Sequence, residues 1–558
     1  MLVQRYDFVF SINHQQSSIP MTARTRTDVL LLAGFCAFLF FYGIGQFGLI
    51  GADEPRYAQV AREMLDRHDW VTPVLQGRAW LEKPPLYYWQ AMLAYSVFGV
   101  SDVAARIPSA IDATLLVVTV YLFFRRFRRG VEVDAALITA SCAGLIGYSR
   151  AASMDMPLTA AFGIGMLAWW AWRESGTRWY LAGFYLCMAL GALSKGPVAP
   201  LLAGMIIVLW AVAVRQMKVV FETLWWPGIL LFCVVSLPWY VAVQVRNPQF
   251  FHEFILEHNL ARFATNLYHH PEPFWYYLPV AMLALLPWIV FIVAAMVESI
   301  SGWSEWNLAR PQPDLELQFR VFACCWLILP VAFFSISQSK LPGYILPALP
   351  AGTVLLADYL RTRSEGNAAV SKPLAVLHAL VASAPMVPAV LVGFMVSERR
   401  LPAARAMIFP VMVAVVVCVA IALTLMSRTH LKMFRFVTLV PVVLAVAAVL
   451  KMGTVAIDQK LSTRPLAVEL ASVETHKLPM AVCGTSREVE YGLAFYRDQV
   501  IARYETENVP PGEHLLVVPP AWMDNVKKQT EGRRVSFLGH YAPQNLDYYW
   551  VAALNSQP

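Results

Sequence analysis

The first apolar run of the chain ends in a charged motif: residues 29–57 are VLLLAGFCAFLFFYGIGQFGLIGADEPRY. A spanning helix needs roughly 20 apolar residues, and the run from Val29 to Ile50 has that length. The run is too long for the apolar core of a cleaved signal peptide and lacks a small-residue cleavage site, so it predicts a retained first membrane helix. The acids, the cation and the proline of DEPRY follow at the membrane face, where such a mixture favours a site for an anionic headgroup.

The composition places the chain in a membrane. It has 558 residues, of which 58% are hydrophobic and 15% charged, and its mean hydropathy is +0.52. Soluble domains carry about 25% charged residues. The net charge of +7 comes from cations between the apolar runs, which excludes a nucleic-acid-binding stripe. The eight cysteines show neither metal-ligand spacing nor a disulfide framework.

Apolar segments recur along the chain and predict a polytopic α-helical membrane protein with about 13 transmembrane helices. The segments are 28–49, 103–124, 132–149, 153–172, 179–193, 197–214, 224–245, 276–299, 319–337, 341–360, 373–396, 405–426 and 434–452. Lys and Arg cluster in alternate loops, so the positive-inside rule predicts a cytoplasmic N-terminus. The loops 50–102 and 246–275 then lie outside, and an odd number of spans puts the C-terminus outside as well.

The composition changes after Met452 to that of a soluble domain. We therefore divide the chain into a transmembrane domain, 1–452, and a small α/β domain, 453–558. Four strands and one helix are predicted in the second domain, namely strands at 478–482, 499–504, 514–518 and 548–553 and a helix at 487–496.

Asp53 and Asp155 are the two candidate catalytic residues. Each also has a structural interpretation as the N-cap of a helix, since a proline follows two residues later and proline is favoured in the first turn. The predicted topology puts both aspartates at the external ends of their segments. Two acids that converge on one membrane face are more often functional than two isolated caps, so we expect a shared site.

Cations and tyrosines near the same predicted face form a candidate lipid-phosphate site. Its members are Arg56, Lys83, Lys195, Arg262, Lys340, Tyr57 and Tyr344. Each cation taken alone has a structural interpretation, in which it extends to the lipid headgroups. Three of the lysines, however, stand just before a proline, where a helix cannot continue smoothly. A cation held at a broken helix end suits a phosphate pocket.

A metal site is the weakest of these hypotheses. Glu82 in the first external loop and His258 and His270 in the second are candidate ligands, because carboxylate and imidazole suit Zn or Mn. The histidines lack tight ligand spacing, so solvated loop residues are the favoured interpretation. The sequence therefore requires no cofactor, and a divalent metal, Zn or Mn, stays an open hypothesis.

Five motifs between residues 28 and 360 carry a family resemblance. They are DEPRY at 53–57, EKPPLYYW at 82–89, MDMP at 154–157, LSKGP at 193–197 and SKLPGY at 339–344. Together they resemble the aminoarabinose transferases of Gram-negative inner membranes, within the GT-C-type membrane glycosyltransferases that also include the protein O-mannosyltransferases. The acidic first motif is common to that class, and the lysine-proline motifs are more specific. Gly343 departs from the aminoarabinose family's pattern, in which another residue often stands there.

The resemblance implies a fold, a reaction and two lipid partners. The fold is of the GT-C type, and the enzyme would move 4-amino-4-deoxy-L-arabinose from undecaprenyl phosphate to the phosphates of lipid A. This lipopolysaccharide modification confers polymyxin resistance. It would take place at the periplasmic face of the bacterial inner membrane, on the same side as the C-terminal domain. The resemblance indicates no nucleic-acid partner and no oligomeric state.

The chemistry leaves the role of Asp53 open. A lipid A phosphate is already ionised and needs no strong base, so Asp53 and Asp155 would pair with the sugar's ammonium group, stabilise an oxocarbenium-like transition state or hold a metal. A hydroxyl acceptor, as in a polyprenyl-phosphate-dependent protein O-mannosyltransferase, would instead need Asp53 as general base. A transporter or flippase for a lipid-linked sugar is the alternative without chemistry, but charges gathered on one face disfavour it.

Overall fold

The computed structural model describes residues 23–261, 272–309, 314–365, 371–382, 434–506 and 509–554. Over the first of these ranges the chain is almost entirely helical, apart from a small hairpin of β1 (Val74–Leu75) and β2 (Arg78–Ala79). The helices are α1 (Ala23–Cys36), α2 (Asp53–Asp66), α3 (Leu86–Phe98), α4 (Asp102–Phe127), α5 (Glu132–Ala140), α6 (Ala143–Ser149), α7 (Asp155–Ser175), α8 (Arg178–Lys195), α9 (Val198–Ala213), α10 (Lys218–Thr223) and α11 (Trp226–Arg246), with π-helical turns at Ala37–Phe41 and Phe251–Ala261.

The next helices complete the apolar part of the chain. They are α12 (Tyr277–Ala284), α13 (Ile289–Ala309), α14 (Leu315–Ile336), α15 (Leu349–Glu365), α16 (Lys372–Ala382) and α17 (Phe434–Ala448), with a 3-10 segment at Pro342–Ala348 and a π-helical turn at Val449–Gly453. By length and composition, five described helical stretches can each cross a membrane, and the bent pair after Thr438 is a sixth candidate. The chain is a multi-pass membrane protein.

Each predicted segment that the structure describes contains a helix, although several helices are shorter, broken or extend past the end of the segment. The segment 28–49 is helical only as far as Phe41, and 132–149 is split into α5 and α6 by a break at Ser141. The segment 405–426 lies outside the described residues, and 373–396 is described only as far as residue 382.

An aromatic core fixes the helices that carry the candidate site. Trp169 and Trp170 of α7 stack on Phe322 of α14 with ring centroids 5.2 and 5.0 Å apart, and Trp210 of α9 packs edge-on against both tryptophans. All four rings are buried. Because large interlocked aromatic rings leave little freedom to shift, the packing fixes the position of α7 relative to α14.

The C-terminal segment forms an α/β unit. Its elements are α18 (Thr454–Leu461), α19 (Arg464–Val473), β3 (Met480–Val482), α20 (Arg487–Arg497), β4 (Ile501–Arg503), β5 (His514–Val518), α21 (Met523–Gln529), β6 (Val535–Tyr541) and β7 (Leu546–Val551). The sheet has the order β4-β3-β5-β7-β6, parallel among β4, β3 and β5 and antiparallel at β7 and β6. The predicted strands and helix are confirmed. β6 was not predicted, because its exposed, weakly alternating side chains carry little pattern. The domain division at 452/453 stays a prediction.

Candidate active site

Glu54 anchors the charged motif to the helix bundle. Its carboxylate lies 2.6 Å from the Arg106 guanidinium, and it also accepts hydrogen bonds from the backbone amides of Ile50 and Ala152. Arg106 is fully buried and donates to the carbonyls of residues 44, 47 and 48. This single ion pair therefore ties the start of α2 to α4 and to the segment that leads into α7.

Replacing Glu54 with glutamine is expected to lower the free energy of unfolding by about 3–5 kcal/mol, because Arg106 would remain buried without its ion-pair partner. The measurement is the thermal denaturation midpoint of the detergent-purified protein. Glu488→Gln is the matched control, since Glu488 is exposed on α20. Equal midpoints for the two variants would show that the buried pair does not hold the motif in place.

Asp53 and Arg56 form an ion pair across the first turn of α2. The pair joins positions i and i+3, which are neighbours on a helix surface. The two side chains differ in exposure, at 55% for Asp53 and 11% for Arg56. The pair thus presents an accessible carboxylate in front of a buried guanidinium.

The Arg56 guanidinium is enclosed by three aromatic rings. Its central carbon lies 5.0 Å from the ring centroid of Tyr57, 5.2 Å from that of Trp80 and 5.7 Å from that of Tyr491. Burial by itself lowers its pKa, but the Tyr57 phenol and the carboxylates of Asp53 and Glu82 raise the pKa above its ordinary value. Its Nε–H is buried and has no hydrogen-bond partner among the described residues. A permanent cation with an unused donor can bind an anionic oxygen.

Asp155 and Lys195 form the second acid–cation pair. Asp155 is the first residue of α7 and Lys195 the last of α8, so the pair closes the ends of two adjacent helices. The second carboxylate oxygen of Asp155 accepts a hydrogen bond from the Ser153 hydroxyl at 2.8 Å. The Lys195 ammonium also lies 5.0 Å from the ring centroid of Tyr344. Both charges are largely shielded from water.

Both aspartates act electrostatically on the Tyr57 hydroxyl. Burial raises the pKa of the Tyr57 phenol, and the carboxylates of Asp53 and Asp155 raise it further, so both lie within electrostatic range of one hydroxyl. The N-cap interpretation of the aspartates is wrong. Each is already inside its helix, and Ala52 and Met154 occupy the cap positions without a side-chain cap.

The segment after α14 closes the site from the other side. Lys340 donates to the carbonyls of Ser337 and Glu272 at 2.6 and 3.0 Å, and it forms no ion pair with any described residue. Gly343 lies against Asp155 so closely that a Cβ there would stand 2.6 Å from the carboxylate carbon. An uncompensated ammonium thus belongs to the same segment that contacts Asp155.

The remaining candidates lie around this centre or outside the description. Lys83 is half-buried in the turn before α3. Arg262 and His270 lie outside the described residues, as does the side chain of His258. Glu82 is described and lies near Arg56. Within the described ranges no group of three His, Cys, Asp or Glu side chains is placed to hold a metal ion.

Known proteins resemble this chain both in sequence and in fold. Residues 27–254 match the sequence model of the dolichyl-phosphate-mannose-protein mannosyltransferase family. The undecaprenyl phosphate-alpha-4-amino-4-deoxy-L-arabinose arabinosyl transferase of Pseudomonas aeruginosa is 33% identical over 352 residues, which cover 61% of each chain. The transferase of that name from Yersinia enterocolitica is 33% identical over 59% of this chain and 58% of its own. The aligned region thus spans less than two thirds of these relatives.

Two solved structures superpose over nearly the whole chain. The crystal structure of ArnT from Cupriavidus metallidurans bound to undecaprenyl phosphate has a TM-score of 0.73 and 22% identity, and covers 95% of this chain and 99% of its own. The apo structure of the same protein has a TM-score of 0.74, with 20% identity and coverage of 96% and 100%. The chain has their GT-C-type fold. The fold class that the motifs imply is confirmed, as is the small α/β unit predicted from the composition after Met452.

Proposed function

We propose that this protein transfers 4-amino-4-deoxy-L-arabinose from undecaprenyl phosphate to the phosphate groups of lipid A. The observation that carries the proposal is the pairing of each candidate acid with a cation. Asp53 stands beside Arg56, and Asp155 beside Lys195. Such a site complements a donor that carries both a phosphate and an ammonium group. The phosphate of the donor would bind the cation of a pair, and its ammonium group would bind the carboxylate. The names of the similar transferases support the same donor.

In this proposal the cations stabilise the leaving group. The lipid phosphate departs as an anion and needs positive charge where its negative charge grows. Arg56 supplies a buried guanidinium with an unused Nε–H, and Lys340 supplies an ammonium without an acidic partner among the described residues. Lys83, Arg262 and Tyr344 are the further candidates for this role.

The acids then act on the sugar. Asp53 is the exposed member of its pair, so it is placed to accept the ammonium group or to stabilise positive charge at the anomeric carbon. One carboxylate oxygen of Asp155 contacts Lys195, and the other accepts a hydrogen bond from Ser153. Asp155 therefore fixes the position of the start of α7 within the site. The acceptor phosphate is already ionised, and no step needs a general base.

We further propose the location. The site and the α/β domain would face the periplasm from the bacterial inner membrane, with the N-terminus in the cytoplasm. Support comes from the excess of Lys and Arg in the alternate loops. A cysteine is introduced either into the exposed turn at Gly77 or directly after Thr177. Its reaction with a membrane-impermeant reagent, added from one side, would distinguish the two orientations.

The decisive experiment is mass spectrometry of lipid A from cells with and without this chain. An aminopentose mass increment that appears only with the protein would establish donor and acceptor together, and its absence would reject the proposal. Transfer from a labelled lipid-linked aminosugar by the protein in detergent would exclude a transporter, since no membrane barrier is present there.

Protein O-mannosyl transfer is the second candidate, favoured by the family model that matches residues 27–254. It requires a hydroxyl acceptor and therefore a base, a role for which the exposed Asp53 is available. Labelled transfer to protein serine and threonine, with no change in lipid A, would identify this alternative.

A divalent metal is a separate hypothesis within the proposal. Glu82 lies near the Arg56 guanidinium, and carboxylate with imidazole from His258 and His270 would suit Zn or Mn. Transfer is measured after treatment with EDTA and again after each metal is added. Activity that is lost and then restored by one metal would support the hypothesis, and full activity in EDTA would remove it.

Replacing Gly343 with alanine is expected to lower transfer about tenfold, because the new Cβ would push the Asp155 carboxylate out of its place. The measurement is the initial rate with the lipid-linked aminosugar, together with the denaturation midpoint. Gly204→Ala in α9 is the matched control, since a Cβ there meets no atom within 4 Å. If both variants kept the same rate, close contact at Gly343 would have no part in the reaction.

A further inference from the structure

We propose that the C-terminal α/β domain completes the lipid-phosphate site through Tyr491, a positioning residue for Arg56. The inference rests on the proposed function only in taking Arg56 as a phosphate ligand. Tyr491 lies on α20, and its ring centroid is 5.7 Å from the guanidinium carbon of Arg56. It is 8% exposed and belongs to the same apolar cluster as Tyr57 and Tyr88 of the first loop.

The three rings fix the orientation of the Arg56 guanidinium plane, which the ion pair with Asp53 alone does not fix. Asp53 and the Tyr57 hydroxyl both accept hydrogen bonds from the same terminal nitrogen of Arg56, so these bonds alone leave the guanidinium plane free to turn about that nitrogen. Aromatic rings favour a cation over their faces, and rings from three different segments restrict the plane to one orientation. A phosphate is bound by a guanidinium through directed N–H bonds, so the orientation of the plane decides whether those bonds form.

Polar contacts hold the domain in the position that this role requires. The Tyr496 hydroxyl donates to Asp102 at 2.6 Å and accepts from the amide of Leu49 at 2.5 Å. Arg464 bridges Asp102 and Asp458 at 2.9 and 2.7 Å. These contacts join the domain to the residues just before α2 and to the start of α4. Losing them would leave part-buried polar groups unpaired, which is costly.

A second set of contacts lies along α2 itself. Arg62, six residues after Arg56, donates to the carbonyl of Phe495 at 2.8 Å and pairs with Asp498 at 3.2 Å. Its guanidinium carbon also lies 4.9 Å from the Phe495 ring centroid. The helix that carries Tyr491 therefore contacts α2 at both Arg56 and Arg62, and the contact at Tyr491 belongs to a larger interface between the two helices.

The test compares Tyr491→Leu with Tyr491→Phe. Leucine keeps the apolar packing but has no ring face, whereas phenylalanine keeps the ring. For Tyr491→Leu we expect the KM for the lipid-linked donor to rise about tenfold and kcat to fall as well, because a misoriented Arg56 both binds the phosphate and stabilises its departure less well. Tyr491→Phe is expected to restore the donor KM to near the wild-type value. Phe537→Ala is the control, since Phe537 is a 60% exposed aromatic of the same domain on β6.

Two further measurements separate the possible outcomes. Binding of undecaprenyl phosphate alone, by native mass spectrometry, reads the phosphate site without any transfer. In an Arg56→Ala background, Tyr491→Leu is expected to have no further effect on this binding, because the residue acts through Arg56. Unchanged binding in Tyr491→Leu, or an equal loss with and without Arg56, would overturn the inference. Wild-type protein that binds the lipid phosphate but transfers no aminosugar would overturn only the proposed function. If Tyr491→Leu failed to fold, Tyr491→Met would serve in its place.

Discussion

Replacing Arg56 with alanine is expected to lower transfer of the aminosugar by about 10²–10³-fold, the usual loss when one fixed donor to a developing anion is removed. The guanidinium is buried, permanently charged and surrounded by aromatic rings, so no water or mobile side chain can take its place at little cost. The loss should appear in kcat as well as in KM, because the phosphate gains charge only as the glycosidic bond breaks.

Two variants give this prediction its contrast. Arg56→Lys retains the charge but loses the planar donor set, and we expect it to recover only a small part of the rate. Arg67→Ala removes an exposed arginine at the end of the same helix and should leave the rate unchanged. Near-normal transfer by Arg56→Ala would show that the leaving group is stabilised elsewhere, with Lys340 the first alternative.

Much of the fold follows from patterns that are local in the sequence. Apolar length alone located α4, α11 and α14, because a helix that crosses a membrane must satisfy its backbone within one continuous run. Apolar length predicts helix ends less exactly where the chain bends. Phe41 ends the first helix well before the apolar run stops, since the following residues use their backbone groups on Arg106 and Asp458.

The candidate site was predictable as a set of residues but not as a set of pairs. The Asp53–Arg56 contact is a consequence of helix periodicity and could be predicted from the sequence. The pair of Asp155 with Lys195 joins two helix ends, which only the packing of α7 against α8 brings together. Glu54, with its partner Arg106, was missed because a buried and an exposed carboxylate look alike in a one-dimensional pattern.

The pairing changes the interpretation of the site. From the sequence, the cations formed an open phosphate pocket with two acids beside it. In the structure, Arg56 and Lys195 already have counter-charges, so a simple anion would have to compete with a carboxylate for either of them. A zwitterionic donor instead supplies a new partner to each side chain, since its phosphate replaces the carboxylate beside the cation and its ammonium group replaces the cation beside the carboxylate. This favours an aminosugar phosphate over a neutral sugar phosphate.

Asp53→Asn provides the test of that exchange. We expect it to lower transfer of the aminosugar about 100-fold, since an amide cannot compensate the donor's ammonium charge in a partly shielded site. The matched control is Asp66→Asn, which changes an exposed aspartate at the other end of α2 and should have no effect.

The same variant also separates the roles that remain open for Asp53. If its carboxylate binds the ammonium group, wild-type protein should prefer the lipid-linked aminosugar over a lipid-linked arabinose that lacks nitrogen, and Asp53→Asn should abolish this preference. If the carboxylate stabilises charge at the anomeric carbon, both donors should slow by the same factor, because that charge develops in either sugar. A hydroxyl acceptor with Asp53 as base would give a third result, in which Asp53→Asn transfers neither sugar to the hydroxyl, because the amide cannot accept the proton of that hydroxyl. Near-full activity of Asp53→Asn with the aminosugar would exclude an essential carboxylate at this position, and the exposed half of the pair would then serve only to hold Arg56.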